Sequence, residues 1–340
     1  MKPFQAALVA ILLLAGTLVV SLGAQADYGA VKDYKVPHLA DGHPDLQGVW
    51  GNNGVTPMAR PRQWKDKALL TEAELKELKQ MAAKSVDEGG DAIFGNLIQQ
   101  LLDAKDKGDF KQTSYDPTTG NYNQFWMADR EWDLRTSQII DPPDGQFPEL
   151  TAAAKERRAA AAARPRTRGP ADGPEDRPLS ERCISYGAPR TQPNYNSYTQ
   201  IIQSPDTVVL MQEMIHDARV VPMTNKPHLP AKLRQLHGDP RGRWEGDTLV
   251  VETTNYINGF QGSTPDVKLT ERYTRVAPDF INWQVTVEDP ATWTKPYTFM
   301  IRLKKAEGQI YEYACHEGNY AMEGILGGAR REEALKKGKK

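Results

Sequence analysis

The chain has 340 residues, with 43 basic and 44 acidic side chains, a net charge of -1, 39% hydrophobic and 8% aromatic residues, and a mean hydropathy of -0.61. This is ordinary globular composition, which excludes wholesale disorder and a multi-span membrane protein. The near-zero charge and lack of a long basic run remove the electrostatic footprint that a phosphate backbone requires, so no nucleic-acid partner is expected.

Lys2, the apolar run Ala6 to Val20 and the triplet Ala24-Gln25-Ala26 have the charged, apolar and cleavage regions of a secretory signal. The apolar run is short against the roughly 20 residues of a spanning helix. Residues 1–26 therefore read as a signal peptide. The expected product starts at Asp27, is periplasmic or secreted, and makes no stable membrane insertion. An oxidising compartment favours pairing of the two cysteines, Cys183 and Cys315, in a disulfide. A nucleophilic thiol beside His316 is the alternative.

Residues 27–182 read as an irregular, partly helical region. Thr71-Glu72-Ala73-Glu74 is a capping box, and Leu75, Leu78, Met81 and Ala82 follow at helical spacing, predicting a helix from Thr71 to Val86. Asp91 can cap a second helix whose apolar face is Phe94, Leu97, Ile98, Leu101 and Leu102, ended by Gly108. An alanine-rich third covers Leu150 to Arg164. The connector Pro165 to Pro178 has the composition of an exposed loop.

From 183 to 325 the rhythm changes to short β-branched and aromatic runs separated by turns, which predicts an antiparallel barrel or sandwich. Strands are expected near 198–203, 207–215, 248–256, 267–276, 280–288, 297–304 and 309–316. Gly48-Val49-Trp50 and Gly242-Arg243-Trp244 read first as tryptophans that simply pack, and also suit the closed end of a lipocalin-like barrel. Residues 326–340 read as a charged, frayed tail. The fold class expected is thus mainly β with an irregular, partly helical N-terminal region. No nucleotide loop or nucleophile elbow is present.

The densest group of chemically useful residues is Glu213 to Arg219. His216 is the expected proton-transfer residue, Asp217 or Glu213 its orienting carboxylate, and Arg219 an anion or oxyanion stabiliser. If the strand continued through them, Glu213, Asp217 and Arg219 would share one face. A strand-end ion-pair network is the structural alternative. In Tyr311 to Tyr320, His316 and Glu317 form the second expected acid/base element, meeting His216 across the sheet end. A bridged Cys315 beside a plain turn is the alternative. A divalent metal could use His216, Asp217, His316 and Glu317, but their spacing matches no compact ligand motif, and the favoured reading needs no cofactor. His228 and His237 lie in a long connection and read as hydrogen-bonded loop residues. Tyr115, Tyr122, Asn123, Phe125 and Trp126, with Asn194, Tyr195, Asn196 and Tyr198, mix rings and amides in the way that suits stacking on sugars or aromatic rings, or interlobe packing.

Pro44 to Trp50, Asp141 to Gly145, Glu181 to Ile184, Glu213 to Arg219, Arg243 to Thr254, Glu271 to Arg275, Val287 to Pro290 and Tyr311 to Tyr320 occur in order and span most of the exported chain. In these motifs the sequence resembles a large group of exported bacterial proteins of unassigned function. The resemblance implies export and bacteria that degrade plant matter and aromatic compounds. The function expected is a cofactor-independent lyase, isomerase or hydrolase that uses acid/base chemistry on a small aromatic or plant-derived molecule. The alternative is a lipocalin-like periplasmic carrier of an apolar ligand, which requires an apolar lumen. An envelope interaction protein, using the Pro165 to Pro178 loop and the basic tail as contact surfaces, is a third reading.

Overall fold

The computed structural model describes residues 28–87, 97–108, 129–163, 167–193 and 195–338. The expected signal segment, the expected Asp91 cap, Phe94, Asn194 and the aromatic set from Tyr115 to Trp126 lie outside them.

Ten strands form one antiparallel sheet. They are β1 Gly48–Gly51, β2 Ile139–Asp141, β3 Tyr198–Ser204, β4 Thr207–Gln212, β5 Ala218–Pro222, β6 Asp239–Glu245, β7 Thr248–Thr254, β8 Lys268–Ala277, β9 Phe280–Glu288 and β10 Tyr297–Lys305. The order is β5-β4-β3-β1-β10-β9-β8-β7-β6, with β2 paired to β10. The ends of this path meet where Met223 bridges Gly242 in parallel and Thr224 N–H donates to the Gly242 carbonyl at 3.2 Å. The sheet is therefore a nearly closed barrel. Gly242 suits this seam because a Cβ there would lie 2.4 Å from Met223 Sδ.

Period-two alternation fills the barrel. On β8, Leu269, Glu271, Tyr273 and Arg275 are buried while Lys268, Thr270, Arg272 and Thr274 are half-buried. Leu269 and Tyr273 pack with Trp50, Ile201, Leu210, Val221, Leu249 and Trp283 into one core, in which each fully buried aliphatic side chain contributes about 1.5–3 kcal/mol. Trp50 is fully buried, its indole N–H donates to the Leu46 carbonyl at 2.9 Å, and the Arg275 guanidinium lies 5.5 Å from its ring centre. The other Gly-x-Trp tryptophan, Trp244, stacks on His43 at 5.1 Å.

The N-terminal region supplies β1 and β2 and a second core. Helices α1 Glu72–Asp87 and α2 Leu97–Lys107 bury Leu75, Leu78, Leu97, Leu101 and Leu102 against Val55 and Leu70. The capping box forms as its sequence requires: Thr71 N–H donates to Glu74 Oε2 at 2.8 Å and Glu74 N–H to Thr71 Oγ1 at 3.3 Å. Helix α3, Ala152–Ala163, is capped by Thr151 Oγ1, which accepts from Ala154 N–H at 3.1 Å.

Two sequence expectations are corrected at the C-terminal end. The strand expected over 309–316 is irregular. Strand β10 already has β9 on one side and β1 with β2 on the other, so the barrel leaves it no edge to extend. The expected frayed tail is α4, Ala321–Lys337, rich in the helix formers Ala, Leu, Glu, Arg and Lys. Among the described residues no helix is long and apolar enough to cross a membrane.

Candidate functional site

The turn between β4 and β5 organises the site. Strand β4 stops at Gln212, not at 215 as the alternation suggested, because Met214–His216 coil into a tight helical turn. Gln212 N–H donates to the Asp217 carbonyl at 2.9 Å, and Glu213 N–H to the Tyr198 carbonyl at 2.9 Å. Ile215 and His216 take positive φ values of 54° and 41°. For the β-branched Ile215 this costs on the order of 1–3 kcal/mol, offset by burial of Met214 and Ile215 in the protein. The turn leaves Glu213 and Asp217 buried and His216 exposed. The shared strand face expected for Glu213, Asp217 and Arg219 therefore does not form.

Asp217 is joined by two residues from other parts of the chain. Ser185 lies just beyond Cys183, and the Cys183–Cys315 disulfide, closing a separation of 132 residues, fastens that segment to the C-terminal strap. His237 sits on the long β5–β6 connection, which is pinned by Gln235 N–H to the Asn255 carbonyl at 2.8 Å and Ile257 N–H to the Gln235 carbonyl at 3.0 Å. Gly238, at φ +73°, follows it where a Cβ would lie 2.8 Å from the Thr254 carbonyl oxygen, so the sharp exit requires glycine.

Asp217 Oδ2 accepts the Ser185 hydroxyl at 2.8 Å and Tyr186 N–H at 3.0 Å. Ser185 Oγ accepts Gly187 N–H at 2.8 Å and lies 2.9 Å from His237 Nε2. That nitrogen is 3.4 Å from Asp217 Oδ1. A serine has one proton and two lone pairs. With its proton on the carboxylate and one lone pair on Gly187 N–H, the second receives Nε2–H of His237. Ser185 is thus a connector whose lone pairs are occupied, and not an activated nucleophile.

Burial pushes the His237 pKa down, against the pull of Asp217, and Arg219 lowers it further. The imidazole is therefore neutral at neutral pH, while its side chain stays 20% exposed. Beside it a cleft of about 340 Å³ is lined by Ser185, Arg190, Leu236, Tyr256, Phe260 and Gln261, among others.

Arg219 points into the barrel, where the Arg219 and Glu271 side chains are 2% and 0% exposed. Its Nη1 donates to Glu271 Oε2 at 3.1 Å, and the same carboxylate accepts Tyr273 O–H at 2.8 Å and Trp283 Nε1–H at 3.2 Å. Its guanidinium is committed to this carboxylate and not open to a ligand anion, the role the sequence suggested. Glu213 faces the other side of the turn and accepts Tyr311 N–H at 3.5 Å. Burial pushes its pKa up, against Tyr311 N–H, Asn196 and Arg190.

His316 and Glu317 are exposed on an irregular turn, and neither has a side-chain contact to His216 among the described residues. His228 is held by Asp239 at 3.0 Å and Glu252 at 3.2 Å, the hydrogen-bonded loop residue the sequence suggested. Among the described residues no group of three or more His, Cys, Asp or Glu is placed to hold a metal ion. Sequence reasoning missed Ser185, for which it carries no signal beyond proximity to Cys183, and it placed His237 without a catalytic partner. No protein-family model, curated protein or solved structure matches this chain.

Proposed function

We propose that the protein is an exported, cofactor-independent enzyme that moves a proton on a small aromatic or plant-derived molecule, as a lyase, isomerase or hydrolase. The observation that carries this reading is the Ser185 hydroxyl held between Asp217 at 2.8 Å and His237 Nε2 at 2.9 Å on the wall of the 340 Å³ cleft. His237, hydrogen-bonded to this wall residue, is a neutral imidazole whose unprotonated Nδ1 can act as a base. When it accepts a proton, Asp217 lies near enough to stabilise the imidazolium, and the same proton can return to the product. The exposed ring of Tyr186 gives the cleft a face for an aromatic substrate, with Phe260 at its base.

The carrier reading needs an open apolar lumen. The buried Trp50, Tyr273 and Trp283 and the Arg219–Glu271 pair occupy the barrel interior, which favours the enzyme. The test is mass spectrometry of a mixed library of plant aromatics and glycosides incubated with the exported chain. A compound consumed by the unmodified protein and by His216→Ala, but not by His237→Gln, supports the proposal. Consumption that survives His237→Gln, or a library left untouched, overturns it.

A further inference from the structure

A second concavity lies on the other side of the same turn. The groove has a volume of about 570 Å³, and Tyr198, Tyr311, Asn53, Gln309, Glu213 and Lys305 line it with others. Its size falls within the range of about 300–1,000 Å³ usual for small-ligand sites, but its chemistry differs from that of the Ser185 cleft. We propose that this groove is a saccharide-binding site for a neutral, polyhydroxylated ligand, separate from the proton-transfer site.

Three observations carry the assignment. The first is Tyr311, which is 80% exposed although it forms one wall. A large ring left bare beside the half-buried ring of Tyr198 offers flat apolar faces to the C–H side of a sugar, and its hydroxyl keeps one end polar. The second is the set of groups around those rings. The exposed Gln309 amide, the Glu213 carboxylate and the Lys305 ammonium provide donors and acceptors together, the inventory needed for hydroxyls, each of which both donates and accepts, while Asn53 is held by Tyr198 and Ser197. Glu213 is only 7% exposed, and its bond from Tyr311 N–H is long at 3.5 Å, so a ligand hydroxyl can compete for the carboxylate.

The third is charge. Lys304 is taken up by Glu131 at 2.6 Å, and Asp129, Glu213 and Glu307 remain on the lining against Lys305. An anionic ligand is therefore repelled, and a strongly apolar one would cover the buried Glu213 carboxylate without offering it a donor. A neutral polyol satisfies both conditions. The same groups also define the competitor: a polyamine would meet the acids, but would leave the Gln309 amide donor unused.

The experiment is calorimetric titration of the full exported chain with cellobiose, xylobiose and maltose, and with spermidine as the cationic control. At least one disaccharide should bind with a Kd of about 1 mM or tighter, a standard binding free energy of about -4 kcal/mol. Tyr311→Ala should weaken it at least about tenfold, the loss of one stacking face, while Tyr311→Phe retains it. Because Tyr311 is exposed, these variants test binding without testing the fold. His237→Gln should bind the disaccharide normally, which keeps this proposal distinguishable from failure of the proton-transfer reading. No binding by any of the three disaccharides overturns the proposal, as does spermidine binding alone. Saccharide binding that Tyr311→Ala leaves unchanged, or that His237→Gln abolishes, also overturns it.

Discussion

Asp217 Oδ1 lies 3.4 Å from His237 Nε2, although one residue ends a tight hairpin turn and the other closes a long connection on the far side of β5. Their meeting depends on the barrel seam. Met223 bridging Gly242 brings the β5 and β6 ends together, so the loop between those strands folds back over the mouth that the Asp217 turn forms.

That contact gives stability a pH dependence. Burial lowers the His237 pKa in the folded protein, so near and below the free value of about 6.5 the unfolded chain binds more protons than the folded one. Stability contributed by the neutral imidazole is present above about pH 6.5 and falls as pH drops through the lowered value. Urea midpoints between pH 7.5 and 5 should decline more steeply for the wild-type protein than for His237→Gln. Identical slopes would remove His237 as the titrating group.

Glu213 has the opposite sign. Its folded pKa is raised by burial, so its favourable contribution exists below the free value of about 4.3 and is lost as pH rises through the folded value. Glu213→Gln keeps an acceptor for Tyr311 N–H and removes the buried charge. The variant should melt higher than wild type at pH 7.5, and the advantage should shrink toward pH 4. An equal difference at both values would show that packing, not ionisation, is responsible.

The buried Arg219–Glu271 pair should punish single replacement. Arg219→Leu leaves a carboxylate alone in the barrel and should cost about 3–5 kcal/mol. Adding Glu271→Gln removes that charge while keeping an acceptor for Tyr273 and Trp283. The double variant should therefore be more stable than Arg219→Leu alone by chemical denaturation. Additive losses would mean that the two side chains do not act as a pair.

The Cys183–Cys315 bridge closes a long loop. Replacing both cysteines with alanine should remove about 5 kcal/mol by the loop-closure argument, read as a lower Tm that added reductant no longer changes. Since the bridge ties the Ser185 segment to the irregular 306–320 segment carrying Tyr311, the double variant should also lose the turnover proposed for the cleft. Retained Tm and turnover would show that packing alone holds the two segments.

The sequence by itself determined what local rules govern. The β-branched and aromatic runs near 267–276 and 280–288, separated by Ala277-Pro278-Asp279, specified two strands, and the structure forms them as Lys268–Ala277 and Phe280–Glu288 with buried and half-buried residues alternating as a strand's side-chain period requires. Thr71 and Glu74 specified a helix start through bonds made within four positions of each other. Two cysteines allow one intrachain pairing, and that pairing forms. Tertiary structure decided the rest. The run at 309–316 has strand-like residues, yet both sides of β10 were already occupied, so no ladder was open to it. The strands Gly48–Gly51 and Ile139–Asp141 are short and lie far from the β region, and only tertiary pairing, of β1 with β3 and β10 and of β2 with β10, makes them part of the barrel. The cluster of ionisable groups around 213–219 was legible as a composition, but its division was not: Arg219 turned inward to Glu271, Glu213 to the groove, His216 to solvent, and Asp217 to Ser185 and His237. Which neighbour a side chain meets across dozens of residues depends on how the sheet closes, and that closure is a property of the whole set of strands and of no single segment.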